Sequence, residues 1–208
     1  RILAEIGIEF REDPETVRLF QQAGGKAREV GPEAWNVTFE PGLIRGLLAT
    51  APAEFTQHAR NPAKSVRIGG KSMVFAPAYG SPFVMDLDKG RRYGTIEDFQ
   101  NLIKLAQSSP WLHHSGGTIC EPTDIPVNKR HLDMVYAHMR YSDRAFLGSI
   151  TAPERAEDSI EMCRILFGAE YVDSHCVIMG NFNSTSPLVW DGVSTRGIRA
   201  YAAAGQGS

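Results

Sequence analysis

From about residue 95 onwards, the sequence alternates between short apolar segments typical of buried strands and longer segments with helical periodicity. The strand-like segments begin near residues 111, 145 and 175, so the repeat is about thirty residues long, the length of a βαβ unit. In such a unit a helix connects two parallel strands, and the repeat therefore predicts an α/β fold with a parallel sheet. An open doubly wound sheet and a closed barrel both have this pattern, and periodicity does not choose between them.

Nucleotide-binding motifs are missing from the predicted strand ends. No G-x-G-x-x-G follows a strand, which counts against a dinucleotide-binding fold. The segment Gly69–Ser72 lacks the upstream glycine of a phosphate-binding P-loop.

The helices of the repeat carry recognisable start signals. The segments Thr95–Asp98 and Thr151–Glu154 each predict a capping box, in which the first and fourth side chains satisfy free backbone N–H groups. A last helix is predicted to open at Ser186-Pro187 and to run through Ala204.

The first part of the chain has a different character. Pro14 and Pro41 each predict a helix start, because proline is well tolerated in the first helical turn. Residues 1–62 are therefore predicted to form a helical N-terminal region. Further on, Val66–Ile68 and Met73–Phe75 flank a Gly-Gly pair and predict a hairpin, and Phe83–Leu87 predicts another short strand.

Composition restricts the class of protein. The net charge is −2 and the charges are interspersed, which argues against nucleic acid as a partner. No apolar run approaches the ~18 residues of a transmembrane helix, and the first residues lack a signal-peptide pattern. Cys120, Cys163 and Cys176 are widely spaced, so we expect free thiols and a cytoplasmic location.

In parallel α/β folds, ligands bind at the carboxyl ends of the strands. Seven residues are predicted to occupy such positions and to contact a ligand. They are Tyr79, Asp86, His113, His114, Asn181, Asn183 and Ser184.

The segment around Asn181 and Asn183 is the most informative of these. Asparagine amides both donate and accept hydrogen bonds, which suits a carbonyl or carboxylate on a small ligand, and the expected helix start at Ser186 favours a negative group. The alternative is that these asparagines only form turns and that Ser186 only caps the helix.

The remaining candidates are more ambiguous. One ring of His113 and His114 is expected to point inwards, but no third ligand at metal-binding spacing accompanies them, so no metal site is predicted. The aromatic face of Tyr79 suits an ammonium group. Asp86 is either an anionic site residue or part of a surface turn. His131, His138 and Asp143 are expected to be packing or surface residues.

Segments spread over nearly the whole chain match the pattern of one enzyme family. They are Gly24-Gly25; Phe83–Asp86 with Gly90–Arg92 and Thr95–Asp98; His131–Met134 through Ser142–Arg144; Asn181–Leu188 with Asp191; and Ala200–Ala202 with Ala204-Gly205. In these segments the chain resembles the trimethylamine methyltransferase family, including its members without pyrrolysine.

The resemblance implies a TIM-type (β/α) barrel and a reaction. A methyl group moves from trimethylamine, or from a quaternary amine such as glycine betaine, to the cobalt of a corrinoid protein. It implies that the partner protein carries the corrinoid, that no cofactor binds directly, and that the full-length enzyme is a homo-oligomer. The pyrrolysine of the archaeal enzymes belongs to a C-terminal half that this sequence lacks.

A (β/α) barrel needs eight strands and about 250 residues, and about half of that number is visible here. We therefore expect residues 63–208 to be the first part of a barrel whose C-terminal part is missing. Two alternatives remain open, a non-catalytic incomplete barrel and an unrelated TIM-barrel lyase or aldolase. An aldolase needs a lysine at a strand end, and the lysines from Lys64 to Lys129 fall in predicted loops or helices.

Overall fold

Eight α-helices and ten short β-strands make up the computed structural model, which describes all of residues 1–208. The helices are α1 (Ile2–Glu5), α2 (Pro14–Gln22), α3 (Pro41–Leu48), α4 (Ile96–Ser108), α5 (Arg130–Tyr141), α6 (Pro153–Phe167), α7 (Ala169–Ser174) and α8 (Gly192–Ala203). The strands are β1 (Ile8–Arg11), β2 (Lys26–Gly31), β3 (Ala34–Thr38), β4 (Glu54–Gln57), β5 (Val66–Gly69), β6 (Phe83–Asp86), β7 (Gly90–Tyr93), β8 (Phe146–Leu147), β9 (Ile178–Met179) and β10 (Val189–Trp190). No helix among them has the length and apolar character needed to span a membrane.

A run of parallel neighbours forms the centre of the molecule. Strand β8 pairs in parallel with β9, so that Phe146 lies opposite Ile178. On one side His114 forms a parallel bridge with Ala145, and on the other Met179 forms one with Gly207. Helix α5 connects the segment of His114 to β8, and helices α6 and α7 connect β8 to β9. Helix α8 then connects β9 to the segment of Gly207. The structure thus confirms consecutive parallel segments near 112–116, 145–150 and 175–180, each followed by a helix.

A further parallel neighbour precedes this run. The backbone of residues 75–81 lies beside residues 113–121, with a parallel bridge between Ser81 and Cys120 and a 2.7 Å hydrogen bond from Gly80 N to Thr118 O. We call residues 75–81, 113–121, 145–149, 177–181 and 207 the parallel series. Its spatial order follows the chain order, as in an α/β fold, and these residues do not close a barrel.

The helices cover one face of the parallel series. Phe146, Ile178 and Tyr201 are almost fully buried in the core that β8 and β9 share with α6 and α8. Because side chains alternate along a strand, Leu147 and Met179 point to the opposite face, where they are only half-buried.

A buried histidine attaches α5 to the parallel series. His138 accepts a 2.6 Å hydrogen bond at Nδ1 from Ser115 Oγ and donates one of 2.9 Å from Nε2 to Gly117 O. Burial lowers the pKa of this imidazole to about 4, so the ring is neutral near pH 7. The expectation that His138 is a packing residue is confirmed.

The N-terminal region is not purely helical, which corrects the prediction for residues 1–62. Strands β1, β2 and β3 form an antiparallel sheet, and β10 adds to it in parallel beside β1. Helices α2 and α3 are present as predicted. The sheet was missed because most side chains of β2 face solvent, so that strand has little apolar alternation to reveal it.

The predicted hairpin between residues 66–68 and 73–75 is wrong. Strand β5 pairs instead with β4, which precedes it, and Gln57 lies opposite Val66. The chain turns away after β5 because Gly69 and Gly70 both adopt positive φ, at 101° and 58°. Residues beyond them lead into the parallel series.

Of the three helix starts predicted within the repeat, two need correction. The capping box at α4 is confirmed, with Thr95 and Asp98 bonding to each other's backbone N–H. At α6 the helix starts at Pro153, so Thr151 lies one residue too early to cap it. At α8 the N-cap is Asp191 rather than Ser186, because residues 189 and 190 are held in the sheet beside β1.

Candidate functional site

The carboxyl ends of the parallel series lie along one edge of the molecule. Residues 117–121, 147–151 and 180–184 leave the series there, and helices α5 and α6 begin beside them. We call this region the carboxyl edge. Since ligands of parallel α/β folds bind at this end, it is the candidate functional site.

Asn181, Asn183 and Ser184 lie at the carboxyl edge, directly after β9. All three are exposed, and the side-chain hydrogen bonds of the protein do not involve them. Phe182, between the two asparagines, turns towards α8 and packs against Tyr201 with 5.9 Å between ring centroids. Because both amides are exposed and make no hydrogen bond within the protein, they are free to bind a ligand, although the contact itself stays a prediction.

The sequence predicted that a helix N-terminus at Ser186 would favour a negative ligand group beside this loop, but no helix begins there. Helix α8 starts at Gly192, and the carboxylate of Asp191 already accepts from Ser194 N at 2.7 Å and from the hydroxyl of Thr185. Partial burial is the largest single effect and raises the pKa of this carboxyl, but the hydrogen bonds from Thr185 and Ser194 together outweigh it, so the net pKa is lowered. An anionic cap occupies the place that was predicted to attract a negative ligand.

His114 is held inside the molecule and does not reach the carboxyl edge. Its Nδ1 accepts from Gly116 N at 2.9 Å, which leaves Nε2 to donate to Gln57 Oε1 at 3.2 Å. Burial lowers its pKa to about 3, so the ring is neutral. The Gln57 amide also donates to Phe146 O at 2.8 Å, which secures the β4–β5 hairpin against the series.

The register separates the two histidines from the asparagine loop. His114 pairs with Ala145, and the register of β8 with β9 places Ala145 opposite Val177. Val177 precedes Asn181 by four residues. At about 3.3 Å per residue, their levels differ by about 13 Å along the strands. The prediction that His113 and His114 follow a strand is therefore corrected, since they begin one. His113 is exposed and stacks on Phe75 at 5.6 Å.

Asp86 also lies elsewhere. It ends β6 in an antiparallel hairpin with β7, and its carboxylate accepts from Lys89 N at 2.6 Å and from Arg92 at 3.0 Å. These interactions, the Lys89 backbone bond first, lower its pKa. The prediction placed Asp86 at the end of a parallel strand, whereas the structure shows the alternative that was left open, a surface turn.

Tyr79 does reach the carboxyl edge. It is about one-third exposed at 37%, and partial burial raises the pKa of its hydroxyl. Its ring lies against Gly117, where an added Cβ would come within 2.7 Å of the ring. The small residue therefore makes room for the aromatic face that was predicted to suit an ammonium group.

A cavity of about 60 Å³ opens at the carboxyl edge, between α5, α6 and Tyr79. Its polar lining includes Thr151, which follows the predicted strand at 145–150, and three residues that the sequence reasoning did not select. They are Arg130, His131 and Arg155.

The three missed residues share a position in the sequence pattern. Arg130 and His131 stand in the first turn of α5 and Arg155 stands in the first turn of α6, whereas Thr151 lies two residues before that helix. The carboxyl-end rule was applied to the loops alone, and applying it to the following helical turns would have found them.

The cavity residues are partly tied to each other. Arg130 pairs with Glu121 at 2.6 Å and also donates to Ile125 O. His131 contacts Asp158 at 2.7 Å. Neither here nor elsewhere in the chain is a group of three or more His, Cys, Asp or Glu side chains arranged to hold a metal ion, and the three cysteines are free.

Comparison with known proteins identifies the family. Residues 1–208 match the trimethylamine methyltransferase (MTTB) family over their whole length. The chain belongs to this family. The resemblance seen in the sequence is confirmed, and an unrelated barrel lyase is ruled against.

One curated relative is similar over nearly the whole chain. The chain is 44% identical over 207 residues to the glycine betaine methyltransferase of Desulfitobacterium hafniense (strain Y51). The match covers 99% of this chain and 42% of that relative, so the chain spans less than half the relative's length.

Proposed function

We propose that this chain forms the first part of a (β/α)-barrel enzyme that moves a methyl group from a methylated amine to the cobalt of a corrinoid protein. The observation that carries the proposal is the 44% identity with a glycine betaine methyltransferase across 99% of the chain. The corrinoid is substrate here and is brought by the partner protein, so this chain needs no cofactor of its own.

The parallel series supports the barrel part of the proposal. Its segments lie next to each other in the same order as in the chain. Helices cover one face, and half-buried Leu147 and Met179 lie on the other. In a closed barrel that second face becomes the packed interior, and the carboxyl edge becomes the mouth. Residues 63–208 would then supply the first strands, with residues 1–62 beside them.

The residue types at the carboxyl edge suit the chemistry. When cobalt(I) attacks a methyl carbon of a quaternary ammonium, a neutral amine leaves and no proton donor is needed. The protein then has to orient the methyl group and exclude water. The free amides of Asn181 and Asn183 and the ring of Tyr79 can orient a ligand, and the buried rings of His114 and His138 carry no charge that would repel an ammonium group.

The test is methyl transfer to a cobalt(I) corrinoid protein, followed by its visible spectrum, with glycine betaine and trimethylamine as alternative donors. We expect the Asn183→Ala variant of the intact enzyme to lose about 1–3 kcal/mol of transition-state stabilisation, the scale of a lost buried hydrogen bond. Folding should be kept, because Asn183 is exposed.

Asn101→Ala is the matched control, since Asn101 is an exposed asparagine on α4 far along the chain from the loop. Unchanged rates in both Asn181 and Asn183 variants would leave these residues only a turn-forming role. No methylation of the corrinoid with any methylated amine would overturn the proposed function as a whole.

A further inference from the structure

The cavity at the carboxyl edge holds a guanidinium group that the protein does not neutralise. Arg155 is half-buried, and its Nη1 donates to the hydroxyl of Thr151 at 2.9 Å. None of the ion pairs of the protein includes it, in contrast to Arg130, whose charge is balanced by Glu121. An unbalanced cation on a cavity wall favours an anionic ligand.

His131 supplies an independent observation. Its side chain is only 7% exposed and lines the same cavity, while Nε2 is engaged with the carboxylate of Asp158. The other ring nitrogen, Nδ1, is buried and has no hydrogen-bond partner. Because Nε2 faces a carboxylate and carries a proton, Nδ1 accepts a hydrogen bond in the neutral ring and donates one to a carboxylate only when the ring is an imidazolium. A buried polar atom without a partner costs about 1–3 kcal/mol, so a ligand carboxylate that receives this hydrogen bond would bind favourably.

Two helix N-termini add to the positive potential. Helices α5 and α6 both begin at the cavity, and neither has a side chain capping its first turn. The positive ends of their dipoles favour a negative group at this place.

We propose that this cavity binds the carboxylate group of a small molecule, with Arg155 as the main contact and Thr151 and His131 beside it. The planar guanidinium fork matches the two oxygens of a carboxylate. Apolar side chains on the wall, among them Val127, Met134 and Ile150, accommodate the rest of the ligand.

A singly charged group fits this site better than a phosphate. The carboxylates of Glu121 and Asp158 lie close to the cavity, held there by Arg130 and His131. They repel a second negative charge on the ligand, while one carboxylate is balanced by Arg155.

Two sources could provide the carboxylate. One is a separate small acid. The other rests on the proposed function: the carboxylate belongs to the methyl donor itself, which makes the substrate a zwitterionic quaternary amine and not trimethylamine.

Isothermal titration calorimetry of the intact protein, without any corrinoid partner, tests the site with three probes. Glycine betaine has a quaternary ammonium and a carboxylate, choline has only the ammonium, and acetate has only the carboxylate. We expect glycine betaine to bind at least about tenfold more tightly than choline, the effect of one charge-assisted hydrogen bond. Acetate binding as tightly as glycine betaine would support a carboxylate site for a separate acid, and weaker acetate binding would support the substrate.

The variant Arg155→Gln should weaken glycine betaine binding by about tenfold or more. Arg164→Gln is the matched control, because Arg164 lies in the last turn of the same helix and pairs with Asp173 away from the cavity. Equal binding of choline and glycine betaine by the unaltered protein, or no binding of either carboxylate, overturns the proposal and needs no variant. Unchanged affinity in Arg155→Gln overturns it too.

Failure of this inference is distinguishable from failure of the proposed function. The calorimetric result does not depend on methyl transfer, whereas the proposed function is judged by methylation of the corrinoid protein. Loss of the carboxylate site with intact transfer from trimethylamine would remove the inference alone.

Discussion

Two of the three buried histidines, His114 and His138, connect elements that lie far apart in the sequence. Each accepts a hydrogen bond at Nδ1 and donates one from Nε2, so its neutral form is satisfied and its charged form is not. Burial is the largest cause of the lowered pKa values, about 3 for His114 and about 4 for His138.

These pKa values predict how stability depends on pH. The folded pKa of each histidine lies below its unfolded value of about 6.5, so the unfolded state binds more protons in between. The stabilisation is therefore complete above pH ~6.5 and is lost as the pH falls towards ~4. We expect the free energy of unfolding, measured with urea at a series of pH values, to decrease across that window.

The variant His138→Gln should be less stable at pH 7 and should show a flatter dependence on pH between ~6.5 and ~4.5. The carboxyls with lowered pKa values, such as Asp98 and Asp143, titrate below that range and do not disturb it. A pH slope that is the same in the variant and the unaltered protein would show that His138 already binds its proton in the folded state.

At the scale of elements, helices were easier to predict than strands. The apolar residues of α4, such as Phe99 and Ile103, recur at helical spacing and are fully buried, so the pattern in the sequence records their packing. Strands β8 and β9 are only two residues long, and their pairing depends on the register between distant segments. The exposed strand β2 leaves almost no apolar pattern.

The start of α8 gives a direct test at this scale. Asp191 caps the helix by accepting from Ser194 N at 2.7 Å, whereas Ser186, the start predicted from the sequence, lies before β10. Replacing an N-cap side chain by alanine costs about 1 kcal/mol. We expect Asp191→Ala to lower the free energy of unfolding, measured with urea, by that amount and Ser186→Ala to leave it within ~0.5 kcal/mol of the original. A larger loss of stability from Ser186→Ala than from Asp191→Ala would support the helix start predicted from the sequence.

At the scale of the whole molecule, some residues of the candidate site can be predicted from the sequence, and others are brought together only by the fold. The carboxyl-end rule selected Tyr79 and the Asn181 loop, since the strand pattern marks such positions. Arg155 and His131 were missed because they lie 24 residues apart in the sequence and meet only when α5 packs on α6. Asp86 was selected because an antiparallel hairpin strand and a parallel strand have the same local pattern.

The open parallel series predicts how the 208-residue chain behaves when it is expressed alone. Its inner face carries half-buried Leu147 and Met179 without a covering layer, and unpaired backbone groups at a sheet edge recruit other strands. An apolar groove between α5 and α6 adds Tyr136 at 58% and Ile165 at 86% exposure.

We therefore expect this chain to self-associate in sedimentation velocity experiments at micromolar concentration. The variant Ile165→Lys separates the two surfaces, because it makes the α5–α6 groove polar and leaves the open series unchanged. Association that persists in this variant assigns the contact to the open series, and association that disappears assigns it to the groove. A compact, stable monomer of the unaltered chain would contradict both, and would mean that residues 1–208 satisfy their own sheet edge and apolar faces.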